Sequence, residues 1–147
     1  MVYYRNGDVI EAFLNSESPS VITHGCNCFN TMGAGIAKSI KKRFPCAYNI
    51  DKKTQKGDRS KLGTITYCKT KNGYVVNAYT QFTYWDRNDM LSYEAVRLCM
   101  REIKNQFSGY KILMPKIGAG LACGDWDKIE KIIEEELENE EVFVYSL

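Results

Sequence analysis

Apolar residues recur in this chain with two periods, and the alternation between them predicts its architecture. From Ser92 to Phe107, the positions Val96, Cys99, Met100, Ile103 and Phe107 fall three or four apart, the repeat of a helix with one buried stripe. Trp126, Ile129, Ile132, Ile133 and Leu137 repeat that spacing behind Asp125, a residue placed to cap a helix. Shorter apolar runs at Val2 to Arg5, Ser20 to Thr23, Tyr110 to Met114 and Val142 to Ser146 read as strands. Gly63 to Cys68 alternates apolar and polar residues and pairs with Tyr74 to Tyr79 across Asn72-Gly73, which tolerates the positive φ of a tight hairpin turn. The turn Asn6-Gly7-Asp8 leads into a short amphipathic segment through Phe13 and Leu14. Ile36 to Phe44 predicts a helix interrupted by Pro45, followed by a helical piece within residues 46 to 56 and the polar linker Gly57 to Lys61. Strands alternating with helices predict an α/β fold, a three-layer α/β/α sandwich whose mixed sheet is parallel at its centre and carries one antiparallel hairpin. We expect one domain over residues 1–147, with no internal repeat.

The stretch from Val21 to Pro45 breaks the pattern in an informative way. The apolar run stops, a polar loop containing His24, Asn27 and Asn30 follows, and Met32-Gly33-Ala34-Gly35 opens directly onto a helix beginning at Ile36. Glycines let bare backbone amides approach a ligand, and a helix N-terminus carries partial positive charge, so this layout suits an anion. A second unit of the same kind, Ile117-Gly118-Ala119-Gly120-Leu121, follows the strand ending at Met114 and also runs into a helix. In open α/β sheets ligands bind where loops diverge at the carboxyl ends of strands, so both loops can close on one diphosphate. Neither is a P-loop, since Gly118-x-Gly120 lacks Gly-Lys-Ser/Thr, and Gly33-x-Gly35 lacks the third glycine of the dinucleotide fingerprint.

Composition narrows the classes. The 147 residues are 44% hydrophobic and 12% aromatic, enough for one good core, and the net charge of +2 with basic residues spread along the chain does not demand a nucleic-acid partner. No stretch resembles a signal peptide or a membrane span, so we expect a soluble, cytoplasmic, monomeric protein. The six cysteines show no C-x-x-C pair and read mostly as small buried side chains. His24-x-Cys26-x-Cys28 admits a zinc reading only with a further ligand from elsewhere, and we expect no metal and no cofactor.

Taken together, His24-Gly25-Cys26-Asn27-Cys28, Met32-Gly33-Ala34-Gly35-Ile36-Ala37, Phe44-Pro45, Asn6-Gly7-Asp8 and Pro115 to Leu121 resemble the macrodomain family. The resemblance is strongest to its small branch related to yeast ADP-ribose 1″-phosphate phosphatase, and it spans essentially the whole chain, through Val144-Tyr145-Ser146-Leu147. It implies an ADP-ribose cleft and, in this branch, hydrolytic removal of phosphate from C1″ of the distal ribose. Two other activities fit the same resemblance: removal of ADP-ribose from a modified protein or nucleic acid, and ADP-ribose binding without chemistry.

Position by position, the resemblance implies that Asp8, with Val9 beside it, meets the adenine amino group. Asp8 reads equally as a helix cap. Asn27 falls where the family contacts the distal ribose, with Asn30 in the same loop. Gly33, Ala34, Gly35 and Ile36, with Gly118, Ala119, Gly120 and Leu121, would wrap the diphosphate and ribose. Tyr84 and Trp85 stand where the family places cleft walls, or anchor their own loop. For catalysis the candidates are His24 as acid or base, Asn27, and Asp125 as a carboxylate that positions water. His24 reads otherwise as a loop-holding residue, and Asp125 as a helix cap. Relatives that cleave ADP-ribosyl bonds through a lysine carry it in a Thr-Lys pair after the fourth strand, where this chain has Thr80-Gln81, and an amide cannot form a Schiff base.

Overall fold

Period-two alternation in the strands and three-to-four spacing in the helices produce the layers that the sequence pattern predicts. A computed structural model describes residues 1–147. Its six strands are β1 (Val2–Asn6), β2 (Ser20–Cys26), β3 (Ile65–Thr70), β4 (Gly73–Tyr79), β5 (Lys111–Met114) and β6 (Val142–Ser146), in the spatial order β1-β6-β5-β2-β4-β3. Every neighbouring pair is parallel except the β3–β4 hairpin. The five helices are α1 (Val9–Leu14), α2 (Gly35–Arg43), α3 (Pro45–Asp51), α4 (Tyr93–Phe107) and α5 (Trp126–Glu136).

Alternate residues of each strand feed two cores. Val21, Val76, Ile112 and Val144 pack with Met100 and Ile103 of α4 and Ile129 and Ile133 of α5. On the other face Ile22, Val75 and Leu113 pack with Phe13 of α1, Ile40 of α2 and Ala47 of α3. The sandwich therefore has α4 and α5 on one side of the sheet and α1 to α3 on the other. No helix is long and apolar enough to cross a membrane.

Three local expectations need correction. β2 runs on to Cys26, three residues past Thr23, because β4 pairs with it along its whole length from Ser20↔Gly73 to Cys26↔Tyr79. His24 consequently lies within the central sheet and not in a loop. Pro45 does more than interrupt a helix, since it occupies the first turn of α3, where its missing N–H costs nothing. Cys46 of α3 and Cys68 of β3 form a disulfide, with Cα atoms 6.2 Å apart. Cys26, Cys28 and Cys99 are buried free thiols as the sequence suggests, whereas Cys123 is exposed.

Candidate functional site

Five parallel strands end at the same edge of the sheet, so the loops β1–α1, β2–α2, β4–α4 and β5–α5 gather there. β2 and β5 are neighbours, which places the two glycine loops side by side. A methyl added at Gly35 would lie 3.5 Å from the Leu121 side chain. Gly35 (φ +58°) and Gly118 (φ +77°) adopt left-handed backbone that side chains rarely take, and a Cβ on Gly118 would press on Leu91 and Ile129.

The amides of these loops are left open. No backbone or side-chain acceptor meets the N–H groups of Gly33, Ala34, Gly35, Ile36 or Ala37, and the first paired amide of α2 is Lys38, donating to Ala34 O at 3.4 Å. The cap position is Ala34, which has nothing to offer them. In the second loop Gly118, Gly120, Leu121 and Ala122 likewise have unpaired amides. Gly33, Ala34, Gly35, Gly120 and Leu121 are all exposed, so these donors face solvent. A row of free donors at a helix N-terminus is an anion cradle.

The other candidates divide. Asp8 caps α1, its Oδ1 accepting from Ile10 N at 2.8 Å and Glu11 N at 3.4 Å, and its Oδ2 has no partner. Val9 next to it is buried, with an unpaired amide. Asp125 caps α5 through Oδ1, which accepts from Asp127 N at 3.0 Å, and it too leaves Oδ2 free on an exposed carboxylate. Asn27 is turned into its own loop: Oδ1 accepts from Phe29 N at 2.7 Å, and Nδ2 donates to Thr31 Oγ1 at 2.7 Å. Asn30 (φ +59°) points away from the glycines, donating to Thr54 O at 2.9 Å and accepting from Lys61 Nζ at 2.7 Å. Its expected contact with ligand is therefore withdrawn. Tyr84 and Trp85 are 54% and 58% exposed and pack edge to face, and Trp85 meets Phe29 of the β2–α2 loop at 4.7 Å, so the pair ties its own loop to that one and leaves its rings largely open.

His24 is the main correction. It is wholly buried on the α1–α3 face of the sheet, with Nε2 2.8 Å from Asn77 Oδ1, and burial lowers its pKa to about 4. A neutral imidazole sealed in the core cannot exchange protons with a ligand at the sheet edge. Asn77 in turn donates to Ala47 O at 2.9 Å and Thr66 Oγ1 at 3.0 Å, so His24 belongs to a network joining β2, β4, β3 and α3. The nearby thiols are equally unreactive, burial pushing Cys28 up to about 11 and Cys99 up to about 12.

Sequence reasoning missed Lys61. Its buried ammonium, pulled below the usual lysine value by burial and held up by Asp51, donates to Cys28 O at 3.2 Å and Asn30 Oδ1, and so braces the first glycine loop from behind. A lysine in a polar linker carries no local sign of that role. The hydroxyl of Thr80, next to Gln81, is buried without a hydrogen bond just past the end of β4. A concavity of about 600 Å³ lies apart from the glycine loops, on the β5–β6 face beside the end of α1, with Arg5, Ser16, Lys111 and Phe143 in its lining.

Comparison with known proteins agrees with this arrangement. The family model described as Macro domain matches residues 23–133. The chain is 39% identical over 144 residues to an uncharacterized 17.5 kDa protein of the tk-vs intergenic region of Enterobacteria phage T4, covering 91% of this chain and 88% of that one. It is 27% identical over 160 residues to the ADP-ribose 1″-phosphate phosphatase of Meyerozyma guilliermondii, covering 88% and 90%. With the DNA ADP-ribosyl glycohydrolase of Mycobacterium tuberculosis it shares 23% identity over 136 residues, 89% of this chain but 37% of that protein. A macrodomain protein from Streptomyces coelicolor superposes with a TM-score of 0.78 at 21% identity, covering 100% and 99%.

Proposed function

The chain belongs to the Macro domain family, and on that premise we propose that it binds ADP-ribose across its two glycine loops and hydrolyses ADP-ribose 1″-phosphate. The observation that carries this reading is the set of unpaired amides at Gly33 to Ala37 and at Gly118, Gly120, Leu121 and Ala122, a concentration of donors that suits the oxygens of a diphosphate. Asp8 Oδ2, free while Oδ1 caps α1, accepts from the adenine amino group at one end. Asn27 acts by holding the loop in shape, through its bonds to Phe29 N and Thr31 Oγ1.

In the reaction, water attacks the phosphorus of the 1″-phosphate, the bond from phosphorus to O1″ breaks, and O1″ takes a proton. ADP-ribose and inorganic phosphate are the products. Negative charge growing on the phosphoryl oxygens meets amides that are already oriented, which is where most of the rate enhancement arises. Asp125 is the carboxylate that orients the water, using the oxygen left over from capping. His24 has no part in it. The similarity to yeast ADP-ribose 1″-phosphate phosphatases supports this choice of substrate.

The test is phosphate release from ADP-ribose 1″-phosphate by wild type, Asp125→Asn and His24→Gln. Release by wild type, at least about 10-fold slower release by Asp125→Asn, and turnover per folded molecule retained in His24→Gln are expected. No release by wild type removes the activity.

A second reading, removal of ADP-ribose from a modified macromolecule, draws on the similarity to the DNA ADP-ribosyl glycohydrolase. It cannot use a lysine nucleophile after β4, because Gln81 stands there with Nε2 donating to Thr83 O at 2.9 Å. Loss of label from ester-linked, N-glycosidic or nucleobase-linked ADP-ribose would favour it. ADP-ribose binding with no turnover of any of these substrates would leave a binding module.

A further inference from the structure

The net charge of +2 conceals a strong asymmetry. Residues 38 to 61 hold nine of the twenty Lys and Arg residues but only two acids, Asp51 and Asp58. This segment comprises most of α2, all of α3 and the turn Arg59–Lys61. Lys38, Lys41, Lys42, Lys52, Lys53 and Lys56 are all exposed, and none forms a salt bridge. Lys38, Lys41 and Lys42 lie on α2, and Lys52, Lys53 and Lys56 follow α3, which packs against α2 on the same side of the sheet. Lys41 of α2 and Lys52 after α3 both lie over the ring of Tyr48, at 4.1 and 4.8 Å from its centre.

That surface continues into exposed aromatic rings. Gly57, next to Lys56, donates to Cys28 O at 2.7 Å, and a Cβ on it would lie 3.1 Å from the Phe29 ring. Phe29 meets Trp85 at 4.7 Å, and Trp85 meets Tyr84 at 5.0 Å, both rings more than half exposed. Arg59 lies 3.7 Å over Phe82, the ring on the other side of Phe29, but it is already paired with Asp89 at 2.7 Å, so the free cations of this surface are the lysines. Unpaired cations next to exposed rings are the two components that hold single strands, the cations tracking phosphates and the rings stacking bases. An acidic peptide would satisfy the lysines but leave the aromatic group without a partner.

We propose that the α2–α3 lysine face, continued by Phe29, Tyr84 and Trp85, is a docking surface for single-stranded nucleic acid. The contact is to phosphates and base faces, so it tolerates sequence and does not depend on what the glycine loops bind. Its place next to the β2–α2 and β4–α4 loops puts a bound strand beside the sheet edge where the glycine loops open.

The test is fluorescence anisotropy with a labelled oligo-dT of about 16 nucleotides, long enough to fill one site of this kind, competed by the same length of duplex and by poly-glutamate. Wild type should bind the single strand best, with a slope of log affinity against log salt of about −3 to −4 if most of the six lysines meet phosphate. Lys41→Glu with Lys52→Glu should weaken binding about 10-fold or more and flatten that slope by about 1 to 2. Trp85→Ala should weaken it about 5-fold or more and leave the slope unchanged. Calorimetry with ADP-ribose and a thermal melt, unchanged in the lysine variant, show that the fold and the glycine loops are intact. If ADP-ribose gives no heat even with wild type, the anisotropy result still stands and only the reading of the cleft falls. No binding of the single strand at low salt, equal competition by duplex or poly-glutamate, or an unaltered affinity in the lysine variant would each overturn the proposal.

Discussion

Helices α2 and α5 both begin behind a glycine loop at the same edge of the sheet, yet their N-termini are finished differently. Asp125 caps α5 with its own carboxylate, whereas α2 has Ala34 at its cap position and the five consecutive amides of Gly33 to Ala37 unpaired. A carboxylate at a helix N-terminus stabilises it by about 1 kcal/mol, so the fold forgoes that stability at α2. The forgone cap is what leaves the site open to a phosphate. At α5 the same group does two things, since one oxygen closes the helix and the other stays free.

Giving α2 the cap that α5 has is the severest test of this contrast. Ala34→Asp places a carboxylate at a position whose backbone is already extended (φ −145°, ψ 159°), as a cap requires. The helix gains about 1 kcal/mol, raising Tm by roughly 3 °C. The added charge lowers ADP-ribose affinity about 1000-fold, because like charges at close range cost several kcal/mol. Calorimetry and a thermal melt on one sample read both, and the opposite signs exclude misfolding.

The contrast extends along β2, which is closed in its middle at His24 and open at its exit. His24 is depressed to about 4 by burial, while the unfolded chain titrates near 6.5. Between these values only the unfolded state takes the proton, so the folded state is at full advantage above about pH 6.5 and loses it as pH falls toward 4. The loss is about 3 kcal/mol. Denaturant midpoints measured across that range should fall in wild type, and His24→Gln should remove this part of the slope.

Asp125 separates its two roles under substitution. Asp125→Ala loses the cap and costs about 1 kcal/mol in chemical denaturation, whereas Asp125→Asn keeps the cap and loses only the charge. Equal stability losses in both would mean the cap does not operate. The smallest effect belongs to Thr80→Val, which removes the buried hydroxyl that lacks a partner, and stability should stay level or rise by up to about 1 kcal/mol.

What was legible in the sequence follows from range. The α4 and α5 stripes, the Asp125 cap and both glycine loops are written in neighbouring residues, and the structure has them where the spacing puts them. The role of His24 was not legible, because β2 continues through it only when β4, more than fifty residues away, supplies Asn77 as partner. The Cys46–Cys68 bond joins a helix to an edge strand 22 residues on, with no spacing motif to announce it. The turn of Asn30 toward Lys61 likewise depends on a buried ammonium that the linker sequence does not reveal. The lysine concentration over residues 38 to 61 was legible in principle and is hidden by summing charge over the whole chain.

An amide-resolved NMR titration with ADP-ribose puts the cleft itself to the test. If the open amides take the diphosphate, the largest downfield proton shifts fall on Gly33 to Ala37 and on Gly118, Gly120, Leu121 and Ala122, and His24 and Asn77 barely move. Shifts centred on the concavity of Arg5, Lys111 and Phe143, or no shifts at saturating ligand, would contradict it.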